Sequence, residues 1–480
     1  MSLGSVRRQK TARAVRPKQD RGEAPKAERR GETLTAANGD ERSGNGDLMQ
    51  LVVERSNMRE ALRRVRVNKG SPGIDGMTVD ELPAYLVANW RAVREKILAG
   101  TYQPQPVLRR QIPKSNGGMR ELGIPTVLDR LIQQAILQVL QPRLDPGFSE
   151  YSYGFRPGRS AHDAVRAAQK YIQEGRRWVV DVDLEKFFDR VNHDVLMGRL
   201  ARRVSDQQVL GLIRRYLQAG IMADGVVVAR DEGTPQGGPL SPLLANVLLD
   251  EVDKELENRG HAFARYADDC NIYVRSRRAG ERVMEGLRRL YAGLRLRVNE
   301  AKSAVARPRD RKFLGFTFWD AKGKVVRRRI APAALAKMKE RVRELTGRNR
   351  GRSMEQVAES LAMYLRGWKQ YFKLAETTTV FADLDRWIRH RLRVVQLKHW
   401  RNGSTVFREL RARGVPVRDA VKVARNTRRW TRNAGMLLLH ILRTDYFDAL
   451  GIPRLAADLN RPNLPVRTRM PGGVGGVRWG

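Results

Sequence analysis

Two neighbouring aspartates, Asp268 and Asp269, stand between two apolar, strand-like arms in FARYADDCNIYV (263–274). This pattern predicts a β-hairpin with both carboxylates at its tip. Adjacent carboxylates repel each other unless a cation neutralises them, and an all-oxygen ligand set favours Mg²⁺. An isolated Asp-Asp pair is more often a solvated turn, so this pair alone does not establish a metal site.

A second acidic pair lies upstream in RWVVDVDLEKFF, where the alternation predicts a strand that runs through Asp183. Asp181 and Asp183 are two residues apart and therefore face the same side of the strand. The opposite face carries the apolar side chains Trp178, Val180 and Val182. If one sheet contains both the strand and the hairpin, their carboxylates can hold two Mg²⁺ ions about 3.5–4 Å apart, an arrangement suited to nucleotidyl transfer.

The charge of the chain indicates a polyanionic partner. Among 480 residues, 92 Lys and Arg oppose 52 Asp and Glu, which gives a net charge of +40. Such an excess repels itself unless nucleic acid is nearby, whereas a generic solvated surface rarely reaches it. The single cysteine, Cys270, excludes an internal disulfide and a multi-cysteine zinc site and fits a reducing cytoplasm. No long apolar run predicts a membrane span.

The elements that must position the carboxylates lie in the middle of the chain. The polar, charged stretch 1–46 predicts a disordered basic tail. Apolar periodicity from Leu48 through Val67 predicts a helix. Strand-like and helix-like segments then mix in 95–319, and beyond about Arg327 the pattern becomes helical and very basic, with Trp and Tyr among the arginines.

Two helices are predicted inside this middle region. SDQQVLGLIRRYLQAG begins with Ser205 and Gln208 at capping-box spacing. SPLLANVLLDEVDKEL has Ser241 as its N-cap and Pro242 at the first helical position. The second helix carries one apolar stripe that should face the core: Leu244, Leu248, Val252 and Leu256.

At this point the chain resembles the reverse transcriptases, since YADD and DVDLEKFFD match their two aspartate motifs. The resemblance implies that Asp183, Asp268 and Asp269 are the catalytic metal ligands, with Asp181 as a less favoured substitute. An aromatic residue follows the family's metal-binding aspartate after five positions, which selects Phe188. That ring would exclude a 2′-hydroxyl and so select dNTPs; the alternative is core packing, for which Phe187 is the better candidate.

Other stretches resemble further family motifs, in the family's order. IPKSNGGMRELGIPT resembles the fingers segment, in which Lys114 and Arg120 would bind the triphosphate, although Glu121 stands where relatives usually have Pro. YSYGFRPGRSAHDAV supplies Arg156 and Arg159, either as template-phosphate contacts or in structural roles.

Three more motifs complete the resemblance to a polymerase site. GTPQGG implies a loop against the nascent base pair, with Gln236 contacting the dNTP and Gly237 and Gly238 allowing a close approach of the backbone. LRVNEAKSAV supplies Lys302, which would protonate the pyrophosphate or simply lie at the surface. KFLGFTF resembles the primer grip, whose predicted contacts are Phe313, Leu314 and Gly315.

The flanking regions resemble proteins encoded by group II introns. NKGSPGIDGMTV resembles their N-terminal extension, and LRGWKQYF, LDRWIRHRLR and LKHWRNGSTVFRELRARG resemble their thumb and maturase domain. Basic helices that carry Trp or Tyr can pair with phosphates and stack on unpaired bases, although such aromatics are also ordinary core residues. The predicted RNA contacts are Arg366, Lys369, Arg386, Arg389 and Arg393.

The resemblance therefore implies an α+β right-hand polymerase of the compact bacterial class that lacks an endonuclease domain. It would use Mg²⁺ and dNTPs, bind group II intron RNA and target DNA, help the intron to splice and copy it into DNA, without zinc or a membrane. The alternatives are another bacterial reverse transcriptase, such as a domesticated repair or CRISPR-linked enzyme, and a non-catalytic RNA-folding splicing factor. The expected divisions are a tail (1–46), an N-terminal extension (47–94), fingers and palm (95–319), thumb and maturase-specific domain (320–415) and a DNA-binding tail (416–480).

Overall fold

The structure is a computed structural model, which describes residues 47–113, 119–223, 226–228, 232–234, 237–321, 325–347, 351–426, 430–435 and 438–457. The tail expected to be disordered (1–46) lies outside the described residues, as do Lys114 and Gln236. The described part is a mixed helix-and-sheet protein, as expected. None of its helices combines the length and apolar character that crossing a membrane requires.

The first part of the described chain is helical. The single helix expected through Val67 is in fact two, because Glu54 adopts an extended conformation with φ −60° and ψ 140°. The carboxylate of Asp47 caps the first helix by accepting a hydrogen bond from the Gln50 backbone N–H. These helices and the next two are α1 (Leu48–Val53), α2 (Arg55–Asn68), α3 (Leu82–Leu98) and α4 (Val127–Leu144).

Five helices follow in the middle of the chain: α5 (Ala161–Gln173), α6 (His193–Ala201), α7 (Gln207–Gln218), α8 (Ser241–Asn258) and α9 (Arg277–Gly293). The predicted cap of α7 was one residue off, because the Asp206 carboxylate accepts from Gln208 and Val209 in place of Ser205. Ser241 is likewise the first residue of α8 and not its N-cap. The predicted stripe of α8 is confirmed, since all four of its residues are buried.

Among the described residues the strands form three sheets. A four-stranded sheet has the order β2 (Met119–Ile124), β1 (Val107–Pro113), β4 (Ile221–Ala223) and β5 (Val226–Val228). A second one, here called the central sheet, has the order β6 (Ala262–Tyr266), β7 (Asp269–Val274), β3 (Trp178–Val182) and β8 (Ala304–Ala306). The third is a hairpin of β9 (Phe316–Asp320) and β10 (Val326–Ile330).

The C-terminal region is helical, as expected, but it begins later than Arg327, because that residue belongs to β10. Its helices are α10 (Pro332–Leu345), α11 (Met354–Phe372), α12 (Thr378–His399), α13 (Gly403–Ala412), α14 (Val417–Arg425), α15 (Trp430–Gly435), α16 (Leu438–Ile441) and α17 (Thr444–Ala449). A capping box of Ser353 and Gln356 starts α11.

The central sheet separates two hydrophobic cores. Val180 and Val182 point into a core shared with the N-terminal helices, α8 and α9. Val179 points into a second core shared with α5, the β9–β10 hairpin and the C-terminal helices. Because alternate residues of a strand face opposite sides, Asp181 lies on the same face as Val179. The acidic face of β3 is therefore turned towards the second half of the chain.

Candidate active site

The predicted hairpin is present. Strands β6 and β7 pair antiparallel, and their last pair is Tyr266 with Asp269. Ala267 and Asp268 form the two-residue turn between them, and Ala267 has a φ of 58°, in the left-handed region. Asp268 and Asp269 thus lie side by side at the tip of the hairpin.

Asp183 lies at the same end of the central sheet. Strand β3 pairs antiparallel with β7, with Val182 opposite Cys270, so one further step of this register places Asp183 opposite Asp269. Its backbone is held on both sides: the N–H donates to Ser303 Oγ at 3.0 Å, and the carbonyl accepts from the Asn299 N–H at 2.8 Å. The structure thus brings the three predicted ligands to one end of the sheet.

Asp181 is engaged by protein donors. Arg311 Nε donates to Asp181 Oδ2 at 2.7 Å. The amide of Asn271, oriented so that its nitrogen faces Asp181, donates to Asp181 Oδ1 at 2.9 Å. Burial raises the pKa of Asp181, and Arg311 opposes this rise. Both oxygens of Asp181 already have partners, which favours Asp183 as the ligand from this strand.

The carboxylates at this end of the sheet raise each other's proton affinity. Burial, followed by the charges of Asp268, Asp181 and Asp183, raises the pKa of Asp269 to about 7, and Lys312 acts in the opposite direction. Protein atoms surround the Asp269 carboxyl group, but the residue as a whole is exposed at the hairpin tip, so water screens part of this effect. The cluster therefore carries negative charge that its protein surroundings leave only partly compensated.

This charge fits a divalent cation, and the carboxylate oxygens suit a hard ion such as Mg²⁺. Within the described part of the chain, no three acidic, histidine or cysteine side chains stand close enough together to hold one metal ion. The cluster therefore attracts a cation electrostatically, and its side chains have to turn towards the ion to share it.

The raised pKa of Asp269 predicts a pH-dependent gain in stability for Asp269→Asn in divalent-free buffer. A carboxyl with a raised folded-state pKa destabilises the fold as pH rises through the window between the unfolded and folded values, here about 4 to 7. The variant lacks this loss. Its advantage over wild type in denaturant midpoint should therefore grow between about pH 5 and about pH 8. A difference that is constant with pH would contradict the assigned environment.

Lys302 lies beside the cluster, with its Nζ 3.6 Å from Asp183 Oδ1. Its side chain is 57% exposed and that of Asp183 is 36% exposed, so the ion pair adds little to stability. The exposure leaves the ammonium group accessible to a ligand. This placement suits the predicted contact with pyrophosphate.

The two phenylalanines after β3 have different surroundings. Phe187 is buried in the first core, and Phe188 is partly buried, with the two rings 5.0 Å apart and edge to face. The carbonyl of Phe188 accepts from the Thr234 N–H at 2.7 Å. A β-carbon on Gly233, which has a φ of +91°, would lie 3.0 Å from the Asp189 carbonyl oxygen. The beginning of the GTPQGG motif therefore holds the turn that carries Phe188.

Protein contacts explain the other glycines of this motif. A β-carbon on Gly237 would lie 2.6 Å from the Gly123 carbonyl oxygen, and one on Gly238 would lie 2.4 Å from Gln133 Oε1. Gly238 is buried, so its predicted contact with the nascent base pair is wrong: α4 occupies that side. Gly237 is exposed, and its contact remains a prediction.

Of the two roles predicted for Arg156, the structure favours the structural one over the template contact, because its side chain is buried. Its Nε donates to Asp145 Oδ1 at 2.8 Å, and its Nη1 donates to the Ser152 carbonyl at 3.1 Å. Burial of the charge requires these partners and leaves nothing for a phosphate. Arg159 is only partly buried and lies over the Tyr153 ring at 5.8 Å, and its contact with template phosphate remains a prediction.

Arg120 lies in β2, opposite Ile112 of β1.

The predicted primer grip forms a tight turn in which Phe313 and Phe316 exchange backbone hydrogen bonds of 2.8 and 2.9 Å. Phe313 is buried and therefore packs in the second core, which corrects its predicted contact with the primer. Leu314 and Gly315 form the turn with φ values of 49° and 81°, and the Tyr371 hydroxyl donates to the Leu314 carbonyl at 2.9 Å. Helix α11 thus holds this turn.

Two of the five predicted RNA contacts are buried. Arg389 pairs with Asp385 at 3.0 Å and with Asp448 at 3.2 Å, and Arg393 Nε donates to the Leu442 carbonyl at 2.9 Å. Their predicted contacts with RNA are wrong, because these side chains join α12 to the C-terminal helices. The aromatics Trp368 and Trp400 are core residues as well.

Of the other three predicted RNA contacts, Arg366 and Arg386 are exposed and Lys369 is partly buried. Arg366 and Lys369 donate to backbone carbonyls of Gly451 and Arg454, at 3.3 and 2.8 Å. Arg386 pairs with Asp383 on the surface of α12. These side chains remain available for phosphate.

Sequence reasoning missed the residues that support the hairpin. Arg265 is 1% exposed and pairs with Asp253 of α8, which is 0% exposed. The signal was present: a charged residue occupies a position of the apolar arm FARY, two residues from Phe263, on the face that the alternation assigns to the core. Such a residue needs a buried partner, and the sequence does not say which acidic residue provides it.

Comparisons with known proteins agree with this geometry. Residues 112–318 match the family model for reverse transcriptase (RNA-dependent DNA polymerase), and residues 335–414 match that for the group II intron maturase-specific domain. Protein YkfC of Escherichia coli is 35% identical over 312 residues, which are 56% of this chain and 81% of YkfC. The group II intron-encoded protein LtrA of Lactococcus lactis is 38% identical over 195 residues, which are 40% of this chain.

The match spans 32% of LtrA, about a third of its length. A solved chain of a partial Cas6-RT-Cas1–Cas2 complex is 26% identical to this chain, and the match covers 52% of this chain and 42% of the solved one with a TM-score of 0.34. The family is shown by the matches to the two domain models and to YkfC. The chain belongs to the family of group II intron reverse transcriptases that carry a maturase-specific domain.

Proposed function

We propose that this protein is an RNA-directed DNA polymerase and maturase that binds a group II intron RNA, assists its splicing and copies it into DNA at a target site. The observation that carries the proposal is the meeting of Asp183 with the Asp268–Asp269 tip inside the reverse transcriptase domain. A maturase-specific domain follows in the same chain, which joins RNA recognition to synthesis.

The proposed architecture is a right hand. The sheet of β1, β2, β4 and β5 would form the fingers, and the central sheet the palm, both within 95–319. Helices α10 to α13 would form the thumb and maturase domain in 320–415, next to an N-terminal extension (47–94) and a DNA-contacting tail (416–480). The position of the acidic cluster, on the face of β3 that is turned towards the C-terminal helices, supports this assignment.

In this proposal Asp183, Asp268 and Asp269 would hold two Mg²⁺ ions, which would supply activation of the primer 3′-hydroxyl and neutralisation of the pyrophosphate charge. Lys302 donates a hydrogen bond or a proton to the pyrophosphate from its exposed place beside Asp183. Lys114 and Arg120 bind the triphosphate, and Phe188 contacts the sugar of the dNTP. Arg311 and Asn271 keep Asp181 in place beside the ligands.

Primer extension by purified protein tests this function. A DNA primer annealed to an RNA template should be extended with dNTPs in the presence of Mg²⁺, and the same protein should accelerate splicing of its flanking intron. RNA binding and splicing without DNA synthesis would favour the non-catalytic splicing factor. DNA synthesis without any effect on splicing would favour a domesticated or repair enzyme.

Phe188→Ala should admit ribonucleotides. The Phe188 ring is only partly buried, so its loss opens space beside the sugar and leaves the first core largely packed. Loss of one steric contact with a substrate changes discrimination by about 10- to 200-fold. The ratio of kcat/KM for dNTP over rNTP, measured with a matched template, should fall by that factor. Unchanged selectivity in a folded variant would assign the ring to packing alone, as for Phe187.

A further inference from the structure

The support of the catalytic hairpin contains a fully buried ion pair. Arg265 in β6 is 1% exposed, and Asp253 in α8 is 0% exposed. Desolvation of two charges costs about as much as their attraction returns, so such a pair is a weak source of stability. The pair does fix the positions of the groups around it, however, because a polar group left without a hydrogen-bond partner in the core would cost free energy.

All three guanidinium nitrogens of Arg265 have partners. Nε donates to both carboxylate oxygens of Asp253, at 2.8 and 2.9 Å, and Nη2 pairs with the same carboxylate. Nη1 donates to Asn246 Oδ1 at 3.0 Å and to the Ala267 carbonyl at 2.9 Å. Asn246 and Asp253 are seven residues apart in α8 and therefore share a face. The guanidinium group thus connects one face of α8 directly to the hairpin turn.

The turn that receives this hydrogen bond is under strain. Ala267 has a φ of 58°, a left-handed conformation that is unfavourable for a residue with a β-carbon. Such a conformation persists where its surroundings impose it. The bond from Arg265 to the Ala267 carbonyl lies one peptide away from Asp268.

A second element holds the turn from the other side. A β-carbon on Gly154 would lie 2.2 Å from the Ala267 nitrogen, so only glycine permits this approach. Asn246 Nδ2 donates to the Gly154 carbonyl at 2.9 Å. Backbone hydrogen bonds join Arg265 to Tyr151 and Tyr153 at 2.9 and 2.8 Å. Asn246 therefore ties both sides of the turn to α8.

We propose that Arg265, held by Asp253 and Asn246, is a positioning residue that fixes the hairpin turn through the Ala267 carbonyl and so sets the direction of Asp268 and Asp269. The inference rests on the proposed function, in that the two carboxylates hold the catalytic cations. Arg265 does not touch substrate or metal. It acts by restricting the turn to the backbone conformation that places Asp268 and Asp269 beside the end of β3.

Arg265→Lys tests this role. Lysine keeps the charge opposite Asp253, but a single ammonium group cannot reach Asp253, Asn246 and the Ala267 carbonyl together. Loss of a support behind a metal ligand lowers metal affinity or activity by about 10- to 100-fold. We expect a loss of that size in Mn²⁺ affinity measured by electron paramagnetic resonance, with a matching rise in the Mg²⁺ concentration for half-maximal primer extension. The Kd for primer–template should stay unchanged.

Arg203→Lys is the matched control. Arg203 pairs with Asp250, another buried carboxylate of α8, and in the described contacts it does not bond to the hairpin. The Arg203→Lys variant should have a lower melting temperature than wild type, with the same Mn²⁺ affinity and the same Mg²⁺ dependence of primer extension. An equal loss of Mn²⁺ affinity in Arg203→Lys would overturn the inference, since it would reflect general destabilisation of α8.

A folded Arg265→Lys protein with the Mn²⁺ affinity and Mg²⁺ profile of wild type would also overturn the inference. If this variant does not fold, Asn246→Ala replaces it as the test. This change keeps the Arg265–Asp253 ion pair and removes the hydrogen bonds by which Asn246 holds the Arg265 guanidinium group and the Gly154 carbonyl beside the turn. It should shift the Mg²⁺ profile in the same direction, and an unchanged profile would refute the proposal. Absence of primer extension in wild type that still binds Mn²⁺ would instead contradict the proposed function and leave the Arg265 comparison measurable.

Discussion

Asp268→Ala or Asp269→Ala is expected to reduce RNA-templated DNA synthesis by about 1000-fold or more, since each change removes a group that stabilises the charge of the transition state. RNA affinity should hardly change, because the loss of a carboxylate at the hairpin tip makes a basic protein slightly more positive. The fold should persist, since these carboxylates repel each other. Single-turnover primer extension and RNA-binding titrations measure the two effects separately.

Asp194→Ala provides the control for charge. Asp194 is exposed on α6, where it pairs with Arg214, so its removal changes the net charge by the same amount away from the hairpin. This variant should extend primers at the rate of wild type. Continued dNTP incorporation by a folded Asp268→Ala protein would refute the assignment of the catalytic ligands. It would also leave the reverse transcriptase domain with a role in RNA binding alone.

RNA binding should weaken steeply with salt, because every phosphate contact releases condensed counterions. With a net charge of +40 the chain can engage many phosphates at once. For about 6–10 contacts, affinity should fall by about 10³- to 10⁵-fold between about 50 and 200 mM monovalent salt. Filter binding or fluorescence anisotropy across this range gives the slope, and a neutral solute at equal osmolality serves as the control.

The basic side chains that solvent reaches on α11 and α12 predict which contacts produce this salt dependence. Lys369→Ala and Arg386→Ala should each reduce it by about one unit, whereas sequence discrimination should stay nearly constant. A flat response to salt in the wild-type protein would show that the basic surface is not the binding face. An unchanged slope in both variants would move the contact away from α11 and α12.

Local sequence patterns were sufficient to predict the strands, the turn and the helix that build the site. Alternation of apolar residues around Asp268 predicted the hairpin, and the strand that precedes Asp183 followed from the same period. The stripe of α8 was correct, although its first residue was not. Such patterns work because side-chain direction is set by backbone periodicity, which the sequence displays directly. Helix ends depend on single capping contacts, and Asp206 in place of Ser205 shows how one neighbour can decide them.

Burial of polar side chains was the main source of error. Arg156, Arg389 and Arg393 were predicted to contact phosphate, because arginine on a basic helix or loop usually faces solvent. All three are buried. Each found a carboxylate or carbonyl partner instead, and some of these partners are distant in the chain: Asp448 lies far from Arg389, and Leu442 far from Arg393. Gly238 was misread for a similar reason, since the group that requires a glycine there belongs to α4.

The sequence by itself determined the set of acidic residues, the two strands and turn that carry them, and the need for a polyanionic partner. Only the tertiary structure decided which carboxylates meet, which arginines remain free to bind phosphate, and that Arg265 holds the turn. The reason is physical: periodicity is a property of neighbouring residues, whereas a buried charge is stable only beside a partner that folding brings from elsewhere in the chain.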